Sequence, residues 1–290
     1  DKSVYLRGAR SEYTLILLDG VPLNDPSSIG GGAYDLRLIP LDQVERIEIL
    51  KGNQSTLYGS NAIAGVINII TKKEGIKPVG GSAMISYGSY NTFRGSVNVA
   101  GAFSKVSYSV GGSRLSSDGI SEAKDSTSHA NFDRDGYSQN SINTSFTYRP
   151  VNSFQLQPYF RYSDFDGGYD GGQFVDSKNK YTSDLLNTGI NSEYNFSKGA
   201  LHLFYGYDRS NRTYNDDTYG PTNYEGKFHH GELFLNYNLG KSFQLLSGAG
   251  FQTWKMVDST ATKPNPSINL ISPYVSFFVR DLRGFSAEVG

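Results

Sequence analysis

Cysteine is absent from this 290-residue chain, and with it thiol catalysis, thiolate metal sites and disulfide staples. An excess of either charge is missing too: 27 Lys and Arg face 28 Asp and Glu, a formal net charge of -1. That balance offers no basic face to nucleic acid. No apolar run approaches the ~20 residues that a membrane helix needs, and those that occur, such as Leu15 to Leu18, are short. Enzyme signatures are also lacking. Gly30-Gly31-Gly32 does not follow a strand and open a helix, so it is no dinucleotide loop. There is no Gly-x-Ser-x-Gly elbow. The four histidines are His129, His202, His229 and His230; the last two open a strand and point to opposite faces, which prevents a shared metal. Exposed loop or lumen positions are expected for them. Catalytic residues: none.

What the chain does have is 21 tyrosines, 17 phenylalanines and 33 glycines. Aromatics favour strands, and glycine with Asn, Asp and Ser supplies turns. The first seventy residues read as a compact mixed unit. Short strands are expected at Val4 to Arg7, at Thr14 to Leu18 (closed by Asp19-Gly20) and at Arg46 to Lys51. Short helical turns are expected at Pro40 to Val44 and Ser60 to Ala64, and the β-branched run Val66 to Thr71 suits a strand buried on both faces.

Beyond Lys72 the pattern changes to long stretches alternating apolar and polar: Ser82 to Tyr90, Thr92 to Phe103, Lys105 to Leu115, Ser138 to Tyr148 and Phe154 to Phe165. Leu186 to Phe196, Ala200 to Thr213, Phe228 to Leu239, Phe243 to Met256, Ile268 to Arg280 and a piece from Gly284 continue it. In Ser138 to Tyr148, Ile142, Thr144, Phe146 and Tyr148 take one side and Asn143, Ser145 and Thr147 the other. These runs exceed the usual ~5–6 residues of a soluble strand. Short joints, such as Ser197-Lys198-Gly199, alternate with long polar connections at Ser116 to Tyr137, Asp166 to Leu185, Tyr214 to Lys227 and Val257 to Ser267. Short turns on one rim and long loops on the other are expected of an up-and-down antiparallel transmembrane β-barrel. A mean hydropathy of -0.43 is compatible, because only every second strand residue would face lipid. The fold class expected is thus an all-β membrane protein, a barrel left incomplete at Gly290 after about eleven strands, carrying a small α+β domain. A start at Asp1 without Met or leader is expected of a processed or trimmed segment.

The first seventy residues carry a resemblance. YLRGARSEYTLILLDGVPLND, IPLDQVERIEILKG and STLYGSNAIAGVINIITKK look like the plug of TonB-dependent receptors of the Gram-negative outer membrane. The matching pieces are Arg7-Gly8, Asp19-Gly20-Val21-Pro22, Val44-Glu45-Arg46-Ile47-Glu48, Lys51-Gly52, Leu57-Tyr58-Gly59, Ala62 and Gly65 through Thr71. The resemblance implies residues 1–73 as the C-terminal part of a plug and 74–290 as the N-terminal part of the barrel. Glu45, Arg46 and Glu48, if buried, would need to pair with each other or with the barrel wall.

Two loop passages, YSDFDGGYDGGQFVDSKNKY (Tyr162 to Tyr181) and YNDDTYGPTNYEG (Tyr214 to Gly226), resemble the BtuB-type vitamin B12 (cobalamin) transporters. In that family Ca²⁺ orders such loops over the substrate, which implies Asp164, Asp170, Asp216, Asp217 and Glu225 as metal ligands here. Glu225 stands where that family has Asp. Seven acids in two neighbouring loops would supply oxygens to a cation that wants six to eight, although solvated loops are commonly acid-rich. By the same resemblance, Asn24 to Tyr34 is an apical plug loop, with Ser27, Ser28, Ile29 and Tyr34 as candidate substrate contacts. The implied function is TonB-dependent uptake of cobalamin or a related corrinoid. Alternatives are a ferric siderophore, haem or oligosaccharide receptor of the same fold, or an outer-membrane binding protein or adhesin without transport. Implied partners are TonB, reached through a segment N-terminal to this chain, outer-membrane lipid, and in some lineages a surface substrate-binding lipoprotein.

Overall fold

The computed structural model describes every residue except 1–3, 29–33, 53–61, 73–77, 127–131, 261, 263–264 and 283. Two sheets divide the chain. The smaller is four-stranded, in the order β2-β1-β4-β3, with β1 at Thr14–Leu18, β2 at Val21–Pro22, β3 at Val44–Lys51 and β4 at Gly65–Thr71. Asp19 and Gly20 both take left-handed backbone (φ 55 and 84), the two-residue turn that matches the twist of a hairpin, and register Leu18 with Val21. β4 runs parallel to β1, and both are apolar along nearly their whole length because both of their faces are covered. One face contributes Ile16, Leu18, Ile67 and Ile69 to a core completed by Leu23, Tyr34, Leu38, Ile39 and, from the larger sheet, Leu185.

Short 3₁₀ turns at Ser11–Tyr13, Leu36–Leu38 and Leu41–Gln43 complete the small domain. Val4 to Arg7 does not form the expected strand: Leu6 to Gly8 make a turn, with Arg7 at φ 54 and Gly8 at φ 78. Ser60 and Asn61 of the turn expected at Ser60 to Ala64, and the whole Leu57-Tyr58-Gly59 motif, lie outside the described residues; Ile63 and Ala64 form a bend.

The larger sheet has eleven antiparallel strands in sequence order. They are β5 (Gly80–Gly88), β6 (Thr92–Phe103), β7 (Val106–Ser117), β8 (Tyr137–Val151), β9 (Phe154–Tyr169) and β10 (Asn179–Phe196), followed by β11 (Gly199–Asp216), β12 (Gly220–Asn238), β13 (Phe243–Asp258), β14 (Ser267–Leu282) and β15 (Phe285–Val289). The period of two sorts their side chains. Val97, Val110, Ile142, Phe146, Phe160, Leu203 and Leu233 lie on the outward face and are exposed. The opposite face carries buried polar residues, among them Ser109, Thr147, Ser163, Ser183, Asn187 and Ser210, the last bonded to Asp25 of the small domain. Apolar outside and polar inside reverses the order of a soluble protein and is the pattern of a wall set in lipid.

The strands outrun the sequence expectation on one rim. β10 begins at Asn179 rather than Leu186, β11 continues to Asp216, and β12 begins at Gly220 rather than Phe228. The long polar stretch expected from Tyr214 to Lys227 is therefore mostly ladder, with only residues 217–219 between strands. These ends carry Asn, Asp, Gly and Lys, residues of low strand propensity, and an eighteen-position cross-strand register between β11 and β12 overrides it.

Candidate functional site

The plug and the wall meet through charge. Asp19 ends β1 in a position fixed by its turn, and its carboxylate accepts from the Thr71 amide (2.8 Å) and hydroxyl (2.7 Å) while pairing with Arg161 on β9. Arg161 also donates to Asn187 on β10 (2.8 Å), and Asn187 in turn donates to Asp208 on β11. Further up the plug, Asp25 accepts from the Ser27 amide (2.9 Å) and hydroxyl and from the Ser210 hydroxyl, and forms an ion pair with Arg212. The side chains of Asp25 and Arg212 are 2% and 1% exposed, so neither charge has water to fall back on. Asp42 pairs with Arg94 on β6 (2.6 Å). In all three pairs the acid stands on the plug and the guanidinium on the wall.

Above these contacts an aromatic shelf crosses five strands on the lumen face. Tyr137 and Phe165 have centroids 6.3 Å apart, Phe165 and Tyr181 6.1 Å, Tyr181 and Tyr214 4.9 Å, and Tyr214 and Tyr224 6.2 Å. The Arg37 guanidinium of the plug lies over Phe165 (4.4 Å) and Tyr181 (4.8 Å) and is held there by the Asp35 carboxylate (2.7 Å). Sequence reasoning did not find this shelf. Its signal was present: each lumen-facing strand end from β8 to β12 carries an aromatic at the position that faces inward.

Of the candidate substrate contacts, Ser27 and Tyr34 are both buried and face the wall; among the described residues the Tyr34 hydroxyl has no hydrogen-bond partner. The Ser28 amide donates to the Asp25 carbonyl (3.0 Å), and Ile29 lies outside the described residues. Glu45 and Glu48 both pair with Arg46 (3.0 and 2.8 Å) on an exposed face of β3, so this trio is satisfied locally and not by the wall. His229 and His230 do point to opposite faces, and His230 takes one of the expected lumen positions, though buried there rather than exposed. It is 2% exposed, stacked on Phe228 at 4.5 Å, with its Nε2 4.0 Å from Asp208.

The five acids expected to hold Ca²⁺ do not converge. Asp164 lies on the outward face of β9 and accepts from Asn140 (2.8 Å). Glu225 is likewise outward, on β12, paired with Lys227 (2.8 Å). Asp216 caps its own turn through the Thr218 (2.7 Å) and Tyr219 (2.9 Å) amides, and Asp217 accepts from the Lys178 amide (3.3 Å). The physical reason is the strand extension described above: alternation along a ladder sends neighbouring acids to opposite faces, where a loop could have gathered them. This set does not fit a calcium cradle.

Asp170 instead joins Asp133 and Asp135, with ligating atoms all within 4.8 Å of one another. Burial and the neighbouring Asp170 charge push Asp135 up to about 6, the Glu122 amide opposing. Burial also acts to raise Asp170, but the Ser177 and Ala123 amides and the Ser121 hydroxyl outweigh it and hold that carboxyl below its ordinary value. Because Asp135 binds its proton more tightly folded than unfolded, its contribution is complete below about pH 4 and is lost as pH rises through about 6. Asp170 works in the opposite sense, but its loss falls below about pH 4, outside this window. Protection of segment 118–126 against hydrogen exchange should therefore rise as pH falls from 7 to 5, after correction for intrinsic rates. Asp135→Asn should flatten that dependence; an unchanged slope would remove Asp135 as its source.

A curved wall, apolar outside and polar inside, with a separate domain ion-paired into its lumen defines the class: a plugged β-barrel of the outer membrane. Residues 1–66 match the TonB-dependent Receptor Plug Domain family. Over 75 residues, 24% of this chain and 12% of the relative, the chain is 51% identical to the iron-regulated outer membrane virulence protein of Vibrio cholerae serotype O1. It is similar in fold to the siderophore receptor PirA from Pseudomonas aeruginosa, with a TM-score of 0.73 and 21% identity over 97% of this chain and 48% of that one. It is similar also to a variant of the ferric enterobactin receptor PfeA from the same organism, with a TM-score of 0.72 and 19% identity over 96% of this chain and 49% of that one. The chain spans about half the length of these solved structures. The fold is that of TonB-dependent receptors, and its place is the Gram-negative outer membrane.

Proposed function

We propose that the protein to which this chain belongs imports a scarce, large iron complex, a ferric siderophore, through a TonB-gated plug. The observation that carries the gate is the set of plug–wall ion pairs, Asp19–Arg161, Asp25–Arg212 and Asp42–Arg94, which close the lumen on this side by contacts that can be broken and remade. A passive adhesin barrel has no use for such a device. The ligand class is supported by the plug's likeness to an iron-regulated relative and by the fold's likeness to siderophore receptors. The aromatic shelf under the outer rim suits planar aromatic iron-binding groups better than it suits a flexible sugar chain. TonB would act from the periplasm on the plug, and a surface lipoprotein is not required by anything in the site. No chemical step on the ligand is involved, and enzyme activity is not proposed.

A second reading, cobalamin uptake with Ca²⁺-ordered loops, is favoured by the Asp133, Asp135 and Asp170 cluster at the outer rim. Equilibrium binding to the full-length protein separates the two. Ferric enterobactin should bind and its iron-free form should bind less tightly, with Tyr137→Ala and Tyr214→Ala, two shelf rings that are not buried, each weakening it about tenfold, as loss of ~1.4 kcal/mol of ring contact requires. Cyanocobalamin binding that disappears in excess chelator would replace this reading with the second. Binding of neither would leave the gate without an assigned cargo.

A further inference from the structure

We infer that the buried junction of Asp208 and His230 on the wall with Asn24 and Tyr34 on the plug binds one divalent transition metal ion of the Zn²⁺ class. The two oxygens of Asp208, on β11, are differently placed. Oδ1 accepts from Asn187, whereas Oδ2 has no hydrogen-bond partner among the described residues. The carboxylate is 2% exposed. Arg161, whose charge reaches it, is engaged by Asp19. Asp208 is thus a buried anion with no cation of its own, which a protein interior tolerates poorly. His230, on β12, is 2% exposed as well. Phe228 stacks on its ring at 4.5 Å and Phe204 meets it edge-on at 4.8 Å. The ring lies over Gly206, the next lumen-facing residue to Asp208 on β11, where any Cβ would collide with Nε2. Neither ring nitrogen has a hydrogen-bond partner among the described residues.

The plug brings two more oxygens to the same charge. The Asn24 amide donates to the Asp208 carboxylate, yet the Asn24 side-chain oxygen is buried without a partner among the described residues. Tyr34, 4% exposed, has a hydroxyl equally unpartnered there, and Asp208 is the charge that acts on it most strongly. The gap between the wall residues decides what joins them. His230 Nε2 and Asp208 Oδ2 are 4.0 Å apart, too far for a direct hydrogen bond. An ion bonded to both at ~2.0–2.2 Å in tetrahedral geometry leaves them ~3.4 Å apart, within reach of a small rotation of the Asp208 side chain. Imidazole nitrogen beside carboxylate oxygen suits Zn²⁺ and its transition-metal neighbours, whereas Ca²⁺ and Mg²⁺ take oxygen alone. Asn187, bonded to the other carboxylate oxygen, supplies the outer contact that keeps a ligating carboxylate aimed. An ion here ties the plug to the wall beside the three ion pairs, and it is independent of which cargo the receptor imports.

The test uses the full-length, untagged protein in nonionic detergent, stripped with a chelator, freed of it and titrated with Zn²⁺ by calorimetry. Co²⁺ and Ca²⁺ serve as the other probes. Zn²⁺ should bind at one site, and His230→Gln and Asp208→Asn should each weaken it by about a hundredfold or more. Asn187→Ala should weaken it about tenfold, as loss of an outer partner does. His229→Gln, next along β12 but on the opposite face, should change nothing. Bound Co²⁺ should show the visible absorption of a four-coordinate ion, which His230→Gln abolishes. Zn²⁺ should also slow hydrogen exchange at the Asn24, Asp25 and Ser27 amides; slowing confined to β11 and β12 would overturn the bridge to the plug. Zn²⁺ binding unchanged in His230→Gln overturns the inference, and so does no binding at all, which would leave a water between the two groups. Displacement by an equal concentration of Ca²⁺ would also overturn it, moving the ion to the Asp133, Asp135 and Asp170 cluster. Asp208→Asn guards against a folding artefact: in chelator it should melt no lower than the wild type, because the amide relieves the lone charge and still accepts from Asn187. A lower melting point there would mean that the carboxylate already has a partner without metal, and would sink the idea.

Discussion

Replacing Arg212 with Met is expected to loosen the apical part of the plug from the wall by about 3–5 kcal/mol. The size follows from what is left behind. Asp25 is 2% exposed, and its carboxylate would keep the Ser27 and Ser210 donors but lose the one positive charge that pairs with it. An uncompensated buried carboxylate is far more costly than the pair is beneficial, since forming the pair also strips water from both ions. Asp25→Asn with Arg212→Met should therefore recover most of what the single change loses: Asn still accepts from the two hydroxyls, and the methionine fills the guanidinium's space without a charge. Calorimetry of the complete protein reads both. The single variant should show a separate, earlier plug transition, and the double variant should move it back toward the main one. A single variant that melts as the wild type does would make the pair a bystander.

Gly226→Val should displace the same turn of the plug without touching any charge. A Cβ at position 226 would lie 2.7 Å from the Ser210 hydroxyl oxygen, 2.9 Å from Asp25 Oδ1 and 2.9 Å from the Ser27 amide nitrogen. None of these is the far end of a flexible chain. All three belong to the hydrogen-bonded junction that seats the plug, so the whole turn must lift. Overpacking of this kind costs about 1–3 kcal/mol, here concentrated on residues 25–28. The expected readout is faster hydrogen exchange at the Ser27 and Ser28 amides, with barrel amides unchanged, and greater permeability to small solutes. Gly226→Ala should show the same direction at smaller amplitude. Unchanged exchange at Ser27 would mean that the wall strand, and not the plug, gives way.

The division into a mixed domain and a long run of strands was legible in the residues, and for a physical reason. Alternation of Ile142, Phe146 and Tyr148 with Asn143, Ser145 and Thr147 is imposed by lipid on one side and a polar lumen on the other, strongly enough to be read without an alignment. The plug's β1 and β4 were legible because a strand covered on both faces must be apolar throughout. Polar strand ends were not. Gly220 to Lys227 has the composition of a loop and is held as ladder only by eight cross-strand partners that no local window contains. That error misplaced the candidate metal ligands, since the faces on which Asp164 and Glu225 fall depend on knowing that their backbone is extended. The plug–wall pairs were illegible for a related reason. Asp19 and Asp25 look like turn residues, Arg161 and Arg212 look like solvated strand residues, and only the curvature of the wall brings them together. Gly226 was the least visible of all, because a glycine in a strand says that something approaches closely without saying what.

The separations along the chain give these contacts a consequence for the order in which the protein forms. Asp19 and Arg161 are 142 residues apart, Asp25 and Ser210 185, and Asp25 and Arg212 187. Each wall strand, by contrast, pairs with the next one in sequence. Hairpins can close one after another at small entropic cost, whereas the plug's ion pairs must wait until β9 and then β11 exist to receive them. The lumen-facing row of Ser, Asn and Arg must accordingly survive as a wet surface before the plug arrives. Of the three plug–wall pairs, Asp25–Arg212 is then the last that chain order allows, and a chain stalled just short of it would hold its plug by Asp42–Arg94 and Asp19–Arg161 with the apical turn still loose.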